Sequence, residues 1–232
     1  AANEHAATSP AGMVPGRAGG TGPGGGERPA TGGFGLGCLR HQEAADPMSV
    51  QTITNLAGIA TLAVAGLVLA AALLWAAARF SAGAAAFQAR LVAFLGGQAI
   101  WLAWLVAVVA TVGSLWYSEG ANFEPCSLCW YQRIAMYPLV VILLVGAITR
   151  DRFLARYVLP LTIGGAILAI YNYLVQLFPG IEVACSRVSC STIDVEAFGW
   201  LTMPLMSLVS FAAITAGVLY DRAAYRAAEP AE

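Results

Sequence analysis

The sequence carries little charge. Only 11% of its 232 residues are Asp, Glu, Lys or Arg, whereas a soluble domain carries roughly 25%. Lysine is absent, so all 12 basic residues are arginine, and the formal net charge is −1. Without a basic excess the chain does not match a nucleic-acid-binding protein, and a hydrophobic content of 59% leaves too little polar surface for a soluble one. These absences predict an integral membrane protein.

Residues 1–50 contain few of the large apolar side chains that a folded core needs. Glycine and proline are frequent between Gly12 and Gly37, and such a segment cannot bury enough apolar area to offset the entropy of ordering it. It also lacks the charged flank and the short apolar core of a secretory signal peptide. We therefore expect a disordered tail over 1–50, or translated sequence upstream of a start at Met48.

Five apolar blocks follow, and each is near or above the roughly 20 residues that cross a bilayer as a helix. Blocks of this length and uniformity are unlike the strands of a membrane barrel. The sequence therefore predicts an all-α membrane protein with five spanning helices. The blocks are 56–78, 91–117, 130–149, 153–178 and 198–220.

The connections between the blocks differ in charge. Arginine dominates in 79–90, in 150–156 and after the fifth block, whereas 118–129 and 179–197 are acidic on balance. Because positive loops stay in the cytoplasm, we expect 118–129 and 179–197 to face outward. The first helix then has its N-terminus outside, and residues 221–232 form a cytoplasmic tail.

Cysteine is absent from all five blocks. Four of the five cysteines lie in the outward loops, Cys126 and Cys129 in the first and Cys185 and Cys190 in the second; Cys38, in the tail, receives no role. Outward-facing thiols meet an oxidising compartment, in which disulfides persist. The close spacing within each pair suits local disulfides that open and close.

Two other interpretations of the four loop cysteines stay open. They could bind zinc as four thiolates, although the oxidising compartment and the wider spacing of the second pair disfavour a metal. They could also form structural disulfides that brace the outward loops of a multi-pass transport or scaffold protein.

An arginine follows Cys129 by one helical turn, inside a predicted span. Residues three or four apart share a helix face, so Cys126, Cys129 and Arg133 would lie together at a helix start, where the dipole favours thiolates. A charge within the membrane is costly and indicates function, and this one would stabilise a Cys129 thiolate. The alternative is that Arg133 snorkels to the surface and marks the helix end.

The segment 125–138, Pro-Cys-Ser-Leu-Cys-Trp-Tyr-Gln-Arg-Ile-Ala-Met-Tyr-Pro, resembles the disulfide bond formation protein B (DsbB) family, most of all its Gram-positive branch, BdbC. The resemblance continues through 172–179 and 198–204. It covers 91–220 as a bundle of four transmembrane helices with redox function. Residues 51–90 would then be one additional N-terminal transmembrane helix and a cytoplasmic loop.

The resemblance implies a quinone-dependent thiol oxidase in the bacterial cell membrane. Such an enzyme reoxidises an extracytoplasmic thioredoxin-fold oxidase of the DsbA or BdbD kind. The partner's thiolate would attack Cys185, Cys190 would pass the electrons to Cys126, and Cys129 would form an adduct with ubiquinone or menaquinone beside Arg133. Neither a metal nor a nucleic-acid partner is expected.

Asn172 and Gln176 are further candidates for contacts with the quinone. Together with Arg133 they fall within about two turns of the outward membrane face, although they could equally be interhelical hydrogen-bonding residues. Many relatives in the family carry His where Asn172 stands. Because Asn does not titrate, any proton relay there would fall to water, Tyr171 or Tyr173.

Overall fold

The computed structural model describes residues 47–181, 189–191, 193 and 195–228. Three predictions fall outside these residues: the tail up to residue 46, Cys38 within it, and Cys185 in the second outward loop. The described chain forms six α-helices and a two-stranded hairpin. They are α1 (Pro47–Ala77), α2 (Ala82–Leu95), α3 (Ala99–Leu115), α4 (Ser127–Thr149), α5 (Ala155–Leu177), β1 (Glu196–Ala197), β2 (Leu201–Thr202) and α6 (Met203–Ala228).

Five of these helices are long and apolar enough to cross a membrane, which confirms the all-α multi-pass architecture. They are α1, α3 with the π-helical turn Trp116–Gly120 that continues it, α4, α5 and α6. A helix satisfies its own backbone hydrogen bonds, so apolar side chains can cover it entirely and face lipid. The exposed leucines of α1, such as Leu67 and Leu73, are of this kind.

The predicted 79–90 loop is wrong for most of its length, because residues from Ala82 onward form α2. The Ser81 hydroxyl accepts a hydrogen bond from the Ala84 backbone N–H and caps this helix. The apolar block 91–117 is consequently divided. α2 ends at Leu95, Gly97 adopts a left-handed conformation with φ of 79°, and α3 begins at Ala99. Continuous hydrophobicity concealed this turn.

The last helix also differs in its bounds from the predicted block 198–220. Residues 196–202 form the antiparallel hairpin of β1 and β2, with Ala197 opposite Leu201. Its turn uses left-handed backbone at Phe198 and Gly199. At the other end α6 continues to Ala228, through most of the segment 221–232 that the sequence predicts as a tail.

Helices α3, α4, α5 and α6 form a ring in which each packs against two neighbours. The core holds Ala107 from α3, Leu139 and Leu143 from α4, Val158 from α5 and Phe211 from α6. In a membrane, such contacts stabilise through close packing and small residues rather than through the hydrophobic effect. Helix α1 packs outside this ring against α6, α2 and β1.

The contact between α5 and α6 depends on one glycine. A Cβ at Gly165 would overlap the ring of Phe211, whereas a Cβ at the adjacent Gly164 would meet nothing within 4 Å. A Thr215–Thr162 hydrogen bond of 2.9 Å joins the same two helices. The absence of a side chain at 165 therefore sets how closely α6 approaches α5.

We expect Gly165→Ala to destabilise the protein by about 1–3 kcal/mol, because the added methyl overpacks against Phe211. Gly164→Ala is the matched control and should be neutral or slightly stabilising, since Ala is the better helix former. The measurement is the melting temperature of both variants in the same detergent. Equal melting temperatures would contradict the assigned contact.

Candidate active site

Two cysteines occupy the start of α4. Cys126 is the N-cap residue and Cys129 lies in the first helical turn, as the sequence predicts. Both are thiols, and the Cys126 thiol donates to the Cys129 sulfur across 3.2 Å. This hydrogen bond favours negative charge on Cys129, and the N-terminal end of the helix dipole acts in the same direction. The pair is therefore asymmetric, with the proton on Cys126.

The environment of Cys126 keeps that proton in place. Its hydrogen bond to Cys129 and its burial raise the pKa of the Cys126 thiol well above the usual value. A thiol with so high a pKa stays protonated at neutral pH. It is therefore a poor nucleophile, because the thiolate is the reactive form.

Cys190 lies against this pair. Its side chain is 2% exposed and packs with Cys126, Leu128 and Val175. The Ser127 hydroxyl is 3.8 Å from the Cys190 sulfur, and the side chains of Cys190 and Cys126 belong to one packed cluster. The segment before β1 and the segment before α4 therefore meet at the same end of the bundle. Burial, together with the contact to Cys126, raises the pKa of the Cys190 thiol to about 11.

Arg133 lies one turn below Cys129 and is held by α3. The residue is 8% exposed, its Nη2 donates to the Ser114 backbone carbonyl at 3.0 Å, and its Cζ is 5.2 Å from the centre of the Trp130 ring. A snorkelling arginine would be exposed at the membrane surface, which this burial contradicts. Ser114 stands just before the π-helical turn, a type of irregularity that is frequent at functional sites.

Asn172 reaches the cysteine pair from α5. It is 1% exposed, and its Nδ2 donates to the Cys129 sulfur at 3.6 Å. Cys129 thus receives hydrogen bonds from both Cys126 and Asn172, and both favour its charged form. An amide here supplies a fixed donor that does not titrate.

Tyr171, a candidate for a proton relay, packs against the cluster that contains Cys126 and Cys190.

A cavity of about 440 Å³ extends from the cysteines into the bundle. Its walls are mostly apolar, with Val109, Met136 and Phe211 among them. The structure brings all of the described predicted site residues to this one cavity. They are Cys126, Cys129, Arg133, Asn172, Gln176 and Cys190.

Two further residues line the cavity, Gln132 and Tyr137. Neither is predicted from the sequence. The Ser207 hydroxyl donates to Gln132 Oε1 at 2.6 Å, which leaves Gln132 Nε2 buried without a partner; the Tyr137 hydroxyl is buried without one as well. Both stand on the same helix as Cys129, at three and eight residues beyond it. That helical spacing was the signal available in the sequence.

The donor set of the cavity fits an apolar ring that carries carbonyl oxygens. Such a ligand needs an apolar enclosure and a few hydrogen-bond donors. Gln132 Nε2 and the Tyr137 hydroxyl are unpartnered donors among the described residues, and Arg133 has further N–H groups besides the one given to Ser114. Asn172 Oδ1 and Gln176 Oε1 are unpartnered acceptors at the same cavity. Within the described part of the chain, no group of three or more His, Cys, Asp or Glu is arranged to hold a metal ion.

Comparison with known proteins identifies relatives of this chain. Residues 97–220 match the family model described as "Disulfide bond formation protein DsbB". The "Disulfide bond formation protein C" of Bacillus subtilis is 44% identical over 115 residues, which cover 48% of this chain and 83% of that protein. A "Probable disulfide formation protein" of Chlamydia caviae is 40% identical over 126 residues, 54% of this chain and 92% of that one. No solved structure matches.

The matched region begins at residue 97, two residues before α3, and ends within α6. It therefore contains α3, α4, α5, the hairpin and most of α6. Helices α1 and α2 lie outside it.

The raised pKa of Cys190 predicts an unusual pH dependence of its alkylation. Burial keeps the absolute rate of reaction with iodoacetamide low in the folded, reduced protein, because Cys190 is 2% exposed. That rate should still rise about tenfold per pH unit from about pH 8 to pH 10, because it follows the thiolate fraction of a thiol whose pKa is about 11. Peptide mass spectrometry measures the label at Cys190. The urea-unfolded chain is the control and should level off above about pH 9, as an ordinary thiol does. A plateau near pH 9 in the folded protein would contradict the prediction.

Proposed function

Because this chain belongs to the disulfide bond formation protein B (DsbB) family, we propose that it is a quinone-dependent oxidase that reoxidises a thioredoxin-fold thiol oxidase of the DsbA or BdbD kind. That it is a multi-pass membrane oxidoreductase of disulfide bond formation follows from the family and from its five apolar helices. The finer proposal depends on one observation: Cys190, Cys126 and Cys129 adjoin one another at the end of a cavity whose donors suit a quinone.

The order of the sulfurs gives the direction of thiol–disulfide exchange. In the oxidised enzyme the partner's thiolate attacks Cys185 of a Cys185–Cys190 disulfide and releases Cys190 as a thiolate. Cys190 then attacks Cys126 of the Cys126–Cys129 disulfide; the Cys190–Cys126 bond forms, the Cys126–Cys129 bond breaks, and the electron pair leaves on Cys129. The contact between Cys190 and Cys126 supports this order.

The surroundings of Cys129 suit it as the leaving sulfur. The better leaving thiol is the one whose anion is more stable, and Cys129 accepts a hydrogen bond from Asn172 at the N-terminus of α4. The second partner sulfur attacks the first partner sulfur in its bond to Cys185, so the partner disulfide forms and Cys185 is released as a thiolate. Cys185 then attacks Cys190; the Cys185–Cys190 bond re-forms, the Cys190–Cys126 bond breaks, and the electron pair leaves on Cys126, which takes a proton. The raised pKa of Cys126 supports its role as the protonated member of the dithiol.

A bound quinone would accept two electrons and two protons from the dithiol, which restores the Cys126–Cys129 disulfide. The residues that would hold its oxygens are Arg133, Gln132 and Tyr137. The apolar walls exclude water, so the charge of Arg133 acts on its neighbours with little screening. The role of the protein is to hold the ring next to sulfur and to stabilise negative charge there.

The distribution of arginine supports an outward orientation of the cysteines. At the end of the bundle opposite to Cys126, a cleft of about 300 Å³ is lined by Arg152 from the turn before α5, Arg156 from the start of α5, and Arg222 and Arg226 from the end of α6. Arginine concentrates on the cytoplasmic side of membrane proteins. The cysteine end would then face the oxidising side of a bacterial cell membrane, where the partner oxidase works.

Removing the Cys129 sulfur tests the proposed function. We expect Cys129→Ser to abolish quinone reduction when the purified protein is mixed with a reduced thioredoxin-fold oxidase and decylubiquinone or menadione, because the dithiol can no longer form. Quinone absorbance measures the turnover. Tyr131→Phe, at an exposed position of the same helix turn, is the control and should keep its rate within about twofold. Turnover by Cys129→Ser would refute the proposal.

Removing the guanidinium separates a role in binding from a role in folding. We expect Arg133→Met to lose about tenfold or more in kcat/KM for the quinone, since hydrogen bonds to charged groups contribute about 1.5–3 kcal/mol. Its melting temperature should fall by only a few degrees. Arg222→Met, an exposed arginine at the other end of the bundle, is the control for loss of charge. Parallel losses of stability and activity in Arg133→Met would instead indicate a structural anchor.

A further inference from the structure

Helix α1 precedes the region that matches the family, yet its inner face is built into the bundle. Thr54 and Gly58 are buried and Ala57, Thr61 and Val64 partly so, a spacing of three and four that defines one face of a helix. The opposite face, with Ile59 and Ala63, is exposed. α1 therefore has one specific orientation against the protein.

The hairpin of β1 and β2 fixes the position of this helix. A Cβ at Gly58 would lie 2.7 Å from the Ala197 Cβ and 3.0 Å from the Phe198 ring. Such contacts are too short for any side chain, so glycine permits α1 to approach the hairpin directly. The hairpin follows Cys190 in the chain and leads into α6. α1 is thus seated on the hairpin that follows Cys190 in the chain.

A buried hydrogen bond joins α1 to the end of α3. The Thr54 hydroxyl donates to the Val50 backbone carbonyl at 2.8 Å and lies 2.8 Å from the Tyr117 hydroxyl. A hydroxyl has one proton, so Tyr117 is the donor in the second bond. Tyr117 also lines the cavity and belongs to the π-helical turn after Ser114, the carbonyl that binds Arg133.

Below this hydrogen bond, α1 contributes a wall of the cavity. Its lining residues are small, namely Ala57, Ala60, Thr61 and Val64. The Thr61 hydroxyl donates to the Ala57 carbonyl of its own helix at 2.8 Å, so its polarity is satisfied internally. The wall is therefore apolar and made of small side chains. The unpartnered polar groups at the cavity, on Gln132, Tyr137, Asn172 and Gln176, come from α4 and α5.

We propose that α1 completes the quinone cavity and sets the size of ring that it admits, with the Thr54–Tyr117 hydrogen bond holding the wall in place. The inference rests on the proposed function, since the ligand is the quinone of that site. It assigns to the additional helix a binding role: Ala57 and Thr61 determine the space beside the ring, and Thr54 is a positioning residue that acts through Tyr117.

The test measures binding rather than turnover, in the full-length protein. The Kd of decylubiquinone is obtained from quenching of tryptophan fluorescence, and quinone that remains after purification is extracted and quantified. Ala57→Phe should bind decylubiquinone about tenfold more weakly and retain less quinone, because the added ring occupies the cavity. Ala63→Phe makes the same change on the lipid-facing side of α1 and should bind like the wild type.

A second pair of variants keeps the test independent of how well Ala57→Phe folds. Thr54→Val preserves shape but removes the acceptor for Tyr117, and the loss of one hydrogen bond should weaken decylubiquinone binding about threefold. Thr54→Ser keeps the hydroxyl and should restore wild-type affinity. An apolar wall of small residues also predicts that Ala57→Phe loses less affinity for an unsubstituted benzoquinone than for decylubiquinone.

The outcomes distinguish this inference from the proposed function. If wild-type protein binds decylubiquinone and both Ala57→Phe and Thr54→Val bind it equally well, the role of α1 is refuted while the quinone site stands. If the wild type neither binds decylubiquinone nor retains any quinone, the proposed function itself fails. Equal weakening by Ala57→Phe and Ala63→Phe would show a general effect on α1 and would also refute the inference.

Discussion

The chemistry of this site depends on which of two neighbouring sulfurs holds a proton. Cys126 donates to Cys129, and Asn172 donates to Cys129 as well, so negative charge collects on the sulfur that lines the cavity above Arg133. Without that asymmetry the two cysteines would be equivalent, and in the proposed relay the electron pair from Cys190 would have no preferred sulfur on which to leave. The helix start, the buried arginine and the apolar walls all favour the same assignment.

The fold serves this asymmetry by bringing together residues that are far apart in the chain. Cys190 and Ser127 are separated by 63 positions, as are Thr54 and Tyr117. A ring of four tightly packed helices supplies the fixed frame, and Gly165 sets one of its closest approaches. On this frame the two redox segments meet at one end and the arginine-lined cleft lies at the other, so that the molecule has a defined polarity across the membrane.

Local features of the site could be predicted from the sequence. The helix start at Cys126 and the burial of Arg133 depend on short-range spacing and on the cost of charge in lipid. The turn at Gly97 was missed because hydrophobicity continues across it and only the backbone conformation changes. Gln132 was missed because its significance comes from Ser207, 75 residues away, which binds its oxygen and leaves its nitrogen unpartnered. The position of α1 at the cavity likewise depends on tertiary contacts, with the hairpin and with Tyr117. The hydrophobic pattern of the sequence does not reveal such contacts.

The burial of Cys190 has a consequence for the selectivity of electron flow. A sulfur that is 2% exposed and enclosed by Cys126, Leu128 and Val175 is shielded from collisions with small thiols and peroxides in the surrounding medium. In the proposed relay, electrons would then reach Cys190 through its disulfide partner rather than directly from small reductants in the medium. Enclosure of this kind would let an oxidising centre operate among other sulfur compounds with little loss of oxidising equivalents to them.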